Sequence, residues 1–275
     1  MSAVNSGLLP APGFTYTNQA LTYARDEAKG DNGTTLPVSG SNIVILEMNT
    51  LAWASAGTIL AGARYSASAT LPFARNDLTS DVNGNLNGGV GFGDSYYLPL
   101  ILGWQQDRVA VRILCGILAP TGRFVAGGTD NVGSGYWTLA PSSGQTFYLT
   151  RIKSLAVSAY EMYEIHSTQE GTHTRPGDTF NLDYSLMRYF APSRRHRQIG
   201  VGVAGYEARQ TTARTGPQIT QDQSRTRYAI NALGFATSLA FPNRHLSFGA
   251  KFFREFANRS TFQGFSLQFS GSVSF

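Results

Sequence analysis

The residues with the clearest potential for chemistry in this chain are His245 and Ser247, which are separated by one leucine. Alternate side chains of a β-strand point to the same face, so an imidazole and a hydroxyl at this spacing can share a face. A histidine that takes the hydroxyl proton turns a serine into a nucleophile, provided that a third group orients the histidine. The pair therefore raises the hypothesis of a hydrolase, which in a membrane would be a lipid-modifying enzyme.

The surroundings of this pair favour ordinary strand residues instead. The pair directly follows the turn sequence PNR at 242–244. It also lacks the HxSNG-like sequence that would be expected around a catalytic histidine and serine at this spacing. Three further histidines, His166, His173 and His196, lack the spacing of metal ligands. The stretch GGVGFGD at 88–94 lacks the GxGxxG order and opens a strand rather than a helix. The sequence therefore predicts no enzyme, no cofactor and no metal site.

The charge of the chain argues against a nucleic-acid partner. The 275 residues include 22 basic and 17 acidic side chains, a formal charge of +5, yet only 14% of the chain is charged. Nucleic-acid-binding proteins cluster Lys and Arg on one face, whereas the only dense run here is SRRHR at 193–197. We interpret this run as a solvated turn, and no nucleic-acid partner is expected.

Cysteine content and hydropathy exclude two more classes of protein. Cys115 is the only cysteine, which excludes an intrachain disulfide and a cysteine-based metal site. No run of 18 apolar residues occurs, which excludes a transmembrane helix. The start MSAVNSGLLPAPGF lacks the charged and apolar stretches of a secretory signal. If the protein is exported, we expect that its signal is missing from this sequence and that Met1 is an added start.

Alternation of apolar and polar residues, rich in β-branched and aromatic side chains, recurs along the chain and predicts an all-β fold. Most of the predicted strands reach the length needed to cross a membrane at a steep tilt, about 9 to 11 residues. About twelve strands are predicted, at 14–24, 41–54, 58–72, 91–105, 108–119, 136–150, 155–168, 178–190, 198–210, 227–240, 245–256 and 261–275.

The predicted connections alternate in length, which distinguishes the two ends of the structure. Those after even-numbered strands are short, and most of those after odd-numbered strands are long and rich in Gly, Asn, Asp and Thr. Outer-membrane β-barrels combine short periplasmic turns with long extracellular loops, and both of their termini are periplasmic. Residues 14–275 are therefore predicted to form a closed antiparallel transmembrane β-barrel in a bacterial outer membrane. A soluble β-sandwich also alternates apolar and polar residues, but it explains neither the long strands nor the loop asymmetry.

Several stretches resemble the outer-membrane family known as MetA-pathway of phenol degradation. They occur in the family's order over most of the chain and are LLPAPGF (8–14), GDSYYLPLILGWQ (93–105), LAPTGRF (118–124), NVGSGYWTLAPSSGQTF (131–147), HSTQEGTHTRPGDTFNLDYSL (166–186) and VGVAGYEARQTT (201–212). The resemblance implies an outer-membrane barrel, often encoded with pathways that degrade aromatic compounds, that acts as a channel for hydrophobic substrates. It supplies no catalytic or ligand residues.

A lumen of mixed charge is expected, because charged side chains avoid hydrocarbon and point inward. Such side chains could form a salt-bridged interior that keeps a narrow barrel closed, or they could line a pathway and influence its selectivity. The candidate pore-lining residues are Glu47, Arg64, Tyr97, Arg112, Asp183, Lys251, Glu255 and Gln268.

Two segments are candidates for blocking the lumen. Residues 1–13 contain Leu8 and Leu9 and could fold in from the periplasmic side as a plug, although a disordered tail is the default. The connection predicted at 73–90 could fold in from the opposite end. We expect a channel for passive uptake of small hydrophobic or aromatic compounds. The alternatives are a non-transporting structural or adhesion barrel and the lipid-modifying enzyme.

The last stretch, GFSLQFSGSVSF at 264–275, has one apolar and one polar face. The polar residues are expected to face the lumen, and this strand is expected to close the barrel against the first one. An aromatic C-terminal residue resembles the signal that barrel-assembly machinery recognises. The predicted partners are therefore outer-membrane lipid and that machinery, contacted through Phe265, Leu267, Phe269, Val273 and Phe275.

Overall fold

The structure, a computed structural model, describes residues 4–38, 40–80, 86–193 and 197–275. In this part of the chain, twelve strands of 10 to 19 residues and two strands of two residues form one antiparallel sheet. The strands are β1 (Gly13–Lys29), β2 (Gly40–Thr58), β3 (Arg64–Ser80), β4 (Leu86–Asn87), β5 (Gly91–Phe92), β6 (Ser95–Gln105), β7 (Val109–Ala119), β8 (Thr138–Tyr148), β9 (Leu155–His166), β10 (Thr179–Ser193), β11 (Arg197–Gln210), β12 (Ala229–Phe241), β13 (Leu246–Glu255) and β14 (Thr261–Ser274).

The sheet closes on itself, because each long strand pairs with a neighbour on both sides. Strand β1 pairs with β2 and with β14, and β2 also pairs with β3. At the closing seam, the backbone N–H groups of Phe14 and Phe275 each donate to the other's carbonyl oxygen at 2.9 Å. The predicted closed antiparallel barrel of about twelve strands is confirmed.

The two ends of the barrel carry connections of different length, as the sequence predicted. One end has short connections such as Gln106–Arg108 between β6 and β7, and the turn that includes the 3-10 helix Pro242–Arg244. The other end has long connections, one of which contains the helix α1 (Gln221–Arg225). No helix in the described part of the chain is both long and apolar enough to cross a membrane. We call these the turn end and the loop end.

Alternate residues of each strand face the inside and the outside of the barrel. On β14, Ser266 and Gln268 are 0% and 2% exposed, whereas Phe265 and Phe269, which flank them, are exposed. On this strand polar side chains thus pack inside while aromatic side chains cover the outside. An apolar outer surface of this kind is typical of barrels that are surrounded by hydrocarbon.

The bounds of β3 differ from the prediction of a strand at 58–72. Ala61 and Gly62 have positive φ angles of 52° and 75°, and the N–H of Ile59 donates to Ala63, so a turn occupies the start of that range. Strand β3 then continues to Ser80, which pairs with Gly40 at the loop end of β2. The connection predicted at 73–90 is therefore largely strand. Residues 81–85 lie outside the described part, and the short strands β4 and β5 run along β3.

Candidate functional site

A cavity of about 470 Å³ occupies one half of the lumen, between β1–β3 on one side and β6–β9 on the other. Much of its wall is apolar, and two tyrosine rings, Arg112 and two carboxylates interrupt that wall. The lining includes Leu46, Met48, Thr50, Thr70, Asp94, Tyr96, Leu98, Arg112, Leu114, Leu118, Ala140, Tyr160, Met162 and Glu164. Small-molecule sites have volumes of about 300 to 1,000 Å³ and similar linings. We call this cavity the open half.

The polar groups of the open half are held by contacts with the wall. The Arg112 guanidinium lies 5.9 Å from the centre of the Tyr160 ring, and the Tyr160 hydroxyl donates to Ser142 at 3.0 Å. Tyr96 lies against Gly116, where a Cβ atom would be 2.2 Å from the Tyr96 hydroxyl oxygen. Glycine at this position therefore allows the Tyr96 ring to lie flat on the wall. Both tyrosines line the cavity.

The opposite half of the lumen, along β9–β13, is filled by its own side chains around Met187 and Phe253, and a cavity of about 330 Å³ remains towards the loop end, beside Arg25 and Asp183. A buried cluster centres on Met187, Tyr189, Tyr206 and Phe253, and the rings of Tyr206 and Phe253 are 5.2 Å apart in an edge-to-face arrangement. Alanines at 156, 204, 232 and 236 complete the cluster. We call this region the filled half, because its large inward side chains take the space that the open half leaves free.

A buried carboxylate connects the filled half to the loop end. Glu255 is 1% exposed and forms an ion pair with Arg25 at 2.7 Å, and it accepts hydrogen bonds from Tyr206 and Asn258. A charge buried in a protein interior is tolerated when it is paired and hydrogen-bonded in this way. Tyr228 lies beside this network just before β12, where burial raises the pKa of its hydroxyl to about 12. Its ring therefore stays neutral at ordinary pH.

Residues 4–12 run along the inside of the wall at the turn end. The N–H of Gly7 donates to Thr146 at 3.0 Å, and the Tyr189 hydroxyl donates to Asn5 at 2.8 Å. Leu9 lies against Gly103, and a Cβ atom at Gly144 would be 2.1 Å from the Ser6 carbonyl oxygen. The segment thus touches strands from both halves of the lumen, and glycines on the wall make room for it.

Six of the eight predicted pore-lining residues lie inside the barrel. Arg112 lines the open half, and Arg64 donates to the Pro10 carbonyl of the N-terminal segment at 3.4 Å. Lys251 is on the same strand face as Glu255 and the buried Phe253, directly across from Gln268. Asp183 is 5% exposed on the inner face of β10. Lys251, Glu255, Gln268 and Asp183 therefore lie on the β10, β13 and β14 side of the lumen, whereas Arg64 and Arg112 lie on β3 and β7.

The inward placement predicted for Tyr97 is corrected by a β-bulge in β6. The pairing of β6 with β7 shifts between Tyr97 and Leu100, a stretch that contains Pro99. A bulge reverses which residues face inward, so Tyr96 faces the cavity before it and Ile101 is buried after it. Tyr97 itself is exposed on the outside of the barrel.

The inward placement predicted for Glu47 is also corrected. Glu47 shares its strand face with Ile45 and Leu51, which are exposed on the outside, while Met48 beside it lines the cavity. Its carboxylate accepts a hydrogen bond from Asn18 on β1 at 2.9 Å. The expectation that charges avoid the outer face was wrong here, because Glu47 follows the alternation of Ile45 and Leu51 along β2.

Ser247 and His245, the candidate nucleophile and base, are not brought together. His245 is in the turn before β13 and has a φ angle of 54°, in the left-handed region. Within the described residues, the Ser247 hydroxyl pairs with the Ser272 hydroxyl of β14 at 2.6 Å rather than with the imidazole. The described part of the chain also contains no group of three or more metal-ligating side chains. The interior surfaces, rather than a catalytic group, are the candidate functional site.

Sequence reasoning missed several residues of the lumen. Tyr160 and Met162 share a strand face with the small residues Ala156 and Ser158. This alternation could have identified them as inward residues. Arg25 was missed because β1 extends five residues beyond its predicted end at 24. Tyr96 was missed because the bulge in β6 could not be located from the alternation alone.

Solved structures with a similar fold come from outer-membrane proteins. The COG4313 outer membrane channel from Pseudomonas putida F1 is 14% identical, with a TM-score of 0.79 and 100% coverage of both chains. The β domain of the Bordetella autotransporter BrkA is 12% identical, with a TM-score of 0.54, and covers 96% of this chain and 100% of its own. No curated protein matches the chain. The family described as "Putative MetA-pathway of phenol degradation" matches residues 25–270, and the chain belongs to this family.

Proposed function

We propose that this protein is a channel for passive uptake of small hydrophobic or aromatic compounds across a bacterial outer membrane. The observation that carries the proposal is the open half, a cavity of about 470 Å³ between an aliphatic wall and the rings of Tyr96 and Tyr160. Aliphatic and aromatic side chains attract an apolar ring without a strong directional bond. A solute held in this way is able to leave again, which conduction requires.

Membership in the phenol degradation family supports the choice of solute. The similar protein from Pseudomonas putida F1 is named an outer membrane channel, which supports a transport role for the shared fold. The inward side chains Arg64, Arg112, Asp183, Lys251, Glu255 and Gln268 would then border the pathway. Their mixed charge fits a solute that carries no net charge of its own.

The orientation in the membrane follows from the two kinds of connection. Barrels of this class place short turns in the periplasm and long loops outside the cell, so both termini, which lie at the turn end, would be periplasmic. The outward residues Phe265, Leu267, Phe269, Val273 and Phe275 would contact lipid. The same residues are the proposed signal for the barrel-assembly machinery. This role is separate from the pairing of β14 with β1 that closes the barrel.

We assign the N-terminal segment, residues 4–12, a role as the constriction of the pathway. It lies at the turn end, next to a smaller cavity of about 110 Å³ that is lined by Gly7, Leu9 and Arg64. The Gly7–Thr146 and Asn5–Tyr189 hydrogen bonds help to hold it, and such bonds contribute about 0.5 to 1.5 kcal/mol each. Individual bonds of this strength are able to break and re-form when a solute passes.

The test compares two tryptophan substitutions on adjacent residues of β8. Ala140 is 1% exposed and faces the open half, whereas Leu139 faces outward. Ala140→Trp adds a large side chain to the cavity, and we expect it to reduce phenol flux into vesicles containing the purified protein several-fold. Leu139→Trp, the matched control, adds similar bulk outside and should leave flux unchanged.

Heat-modifiable migration in a detergent gel establishes that both variants have folded before flux is compared. Equal flux for Ala140→Trp and the unsubstituted protein would contradict the proposed pathway. A complete absence of flux in the unsubstituted protein would instead favour the non-transporting barrel.

A further inference from the structure

Four polar side chains form a cluster on the outside of the barrel, where β1 and β2 pair. Asn18 donates to Glu47 at 2.9 Å and to Asn49 at 3.1 Å, and the Tyr16 hydroxyl donates to Asn49 at 2.5 Å. Asn18 and Asn49 are directly opposite each other in the strand pairing. We call Tyr16, Asn18, Glu47 and Asn49 the outer polar cluster.

Apolar residues surround the outer polar cluster. Ile45 and Leu51 flank it along β2, and both are exposed. On β3, Phe73 is directly opposite Glu47 and Leu71 is directly opposite Asn49. If the barrel spans a membrane as proposed above, the Glu47 carboxylate lies within the apolar band, where ionisable groups are unfavourable and usually mark a functional contact.

A second outward carboxylate, Glu161 on β9, provides a comparison. One oxygen of Glu161 accepts hydrogen bonds from both Ser143 at 2.7 Å and Gln145 at 2.9 Å, and the residue is only partly exposed. Glu47 is exposed, and in the described part of the chain Asn18 is the residue that donates to it. The neighbours of Glu161 therefore satisfy it better than those of Glu47 do.

The outer surface beside the cluster is concave. A groove of about 650 Å³ begins at Asn18 and Ala20 of β1 and extends over β14 and β13 to β12 and β11, and its lining includes Gly271, Ala250 and Phe269. Two aromatic rings lie on the opposite side of the cluster. There Phe73 and Phe92 are both exposed, with ring centres 4.1 Å apart.

We propose that the outer face of β1 and β2 binds a second copy of this chain, with a two-fold axis parallel to the barrel axis between Asn18 and Asn49. This symmetry brings Asn18 of each subunit opposite Asn49 of the partner subunit. It also brings the groove of each subunit opposite the exposed Phe73 and Phe92 rings of the other. The cluster contains amide donors together with amide and carboxylate acceptors, so it is complementary to itself, as a two-fold interface requires.

Burial in such an interface gives Glu47 further donors and removes it from lipid. Polar side chains that hydrogen-bond across an interface stabilise the association of transmembrane helices, and the outer polar cluster offers the same kind of contact between two barrels. The occupant is therefore a second copy rather than lipid, because acyl chains have no donor to offer a carboxylate.

The experiment uses single-cysteine variants in intact outer membranes, made in a Cys115→Ser background. Asn49→Cys is near the proposed axis, and Ser143→Cys, in the second polar group on the outside, is the matched control. A membrane-permeant bis-maleimide should convert Asn49→Cys into a covalent dimer of twice the monomer mass and leave Ser143→Cys monomeric. Because Asn49 is itself part of the cluster, Leu51→Cys, two residues along the same strand face and outside the cluster, is made in parallel. Failure of both Asn49→Cys and Leu51→Cys to cross-link, cross-linking of Ser143→Cys equal to theirs, or cross-linking of either to a different protein would each overturn the proposal.

A second measurement removes the polar contacts without disturbing the inside of the barrel. The combined variant Asn18→Leu, Glu47→Leu and Asn49→Leu should remain heat-modifiable and lose the dimer in detergent, as measured by light scattering. A dimer that persists in this variant would contradict the role of the cluster. Phenol flux measured on the same preparations distinguishes the two proposals, because a dimer without flux overturns only the channel.

Discussion

The two halves of the lumen are built on the same alternation of inward and outward residues, yet one is open and the other is filled. The inward residues of the open half include Thr50, Thr70 and Ala140, which are small, so a cavity of about 470 Å³ remains. Those of the filled half include Met187 and Phe253, which are 1% and 0% exposed. Barrel closure alone therefore does not make a pathway, since the volume of the inward side chains decides where space remains.

The halves also differ in what their side chains contribute to stability. The filled half is packed like the core of a soluble protein, so each removed atom leaves a void. Side chains of the open half border a cavity. A small substitution there disturbs little packing, because no side chain lies directly against the altered group. Substitutions should therefore affect mainly folding in the filled half and mainly flux in the open half.

The largest effect is expected for Phe253→Ala in the filled half. The ring is fully buried against Tyr206, so its loss should lower the free energy of unfolding by about 3 to 5 kcal/mol. Urea unfolding in lipid vesicles measures this difference. Phe252→Ala, the control on the outer face of the same strand, should cost less, and equal losses would contradict a packed filled half.

A smaller effect is expected for Tyr189→Phe, which removes the hydroxyl that binds Asn5 at 2.8 Å. The free energy of unfolding should fall by about 0.5 to 1.5 kcal/mol, the usual contribution of one hydrogen bond. Single-channel recordings should also show longer open periods, because the N-terminal segment loses its link to the filled half. Tyr184→Phe, on the outer face of the same strand, should leave the recordings unchanged, and the same change in both variants would contradict the link.

The smallest effect is expected for the combined variant Thr50→Val and Thr70→Val in the open half. Their hydroxyls pair with each other at 2.8 Å, and replacing both partners of a hydrogen bond by apolar groups of the same shape is nearly neutral. Unfolding should change by less than about 0.5 kcal/mol, while phenol flux is maintained or rises. A loss of stability as large as that of Phe253→Ala would remove the distinction between the halves.

The architecture was largely predictable because it depends on local patterns. Alternation such as Phe265, Ser266, Leu267 and Gln268 requires only a period of two, and each of the twelve predicted strands overlaps a long strand of the structure. Loop asymmetry was also readable, since turn residues are recognised without knowledge of pairing. The predicted inward position of Arg112 followed from the same alternation.

The errors arose where pairing between distant strands decides the outcome. The bulge in β6 reverses its inward face between Tyr97 and Leu100, and nothing in the local pattern reveals which residue is extra. Glu47 was expected inside because charge avoids lipid, but Asn18, 29 positions away, supplies its partner on the outside. The predicted β1 was too short, because the extension contains Arg25, whose partner Glu255 is 230 positions away.

By itself, the sequence determined that the chain is an all-β barrel with two different ends, because strand periodicity and turn chemistry are properties of neighbouring residues. Only the tertiary structure decided that the lumen is divided into an open and a filled half, with the N-terminal segment along the wall at the turn end. The physical reason is that free volume depends on side chains that meet across the barrel. Residues such as Tyr206 and Phe253 are 47 positions apart in the chain and become neighbours only after the strands have paired.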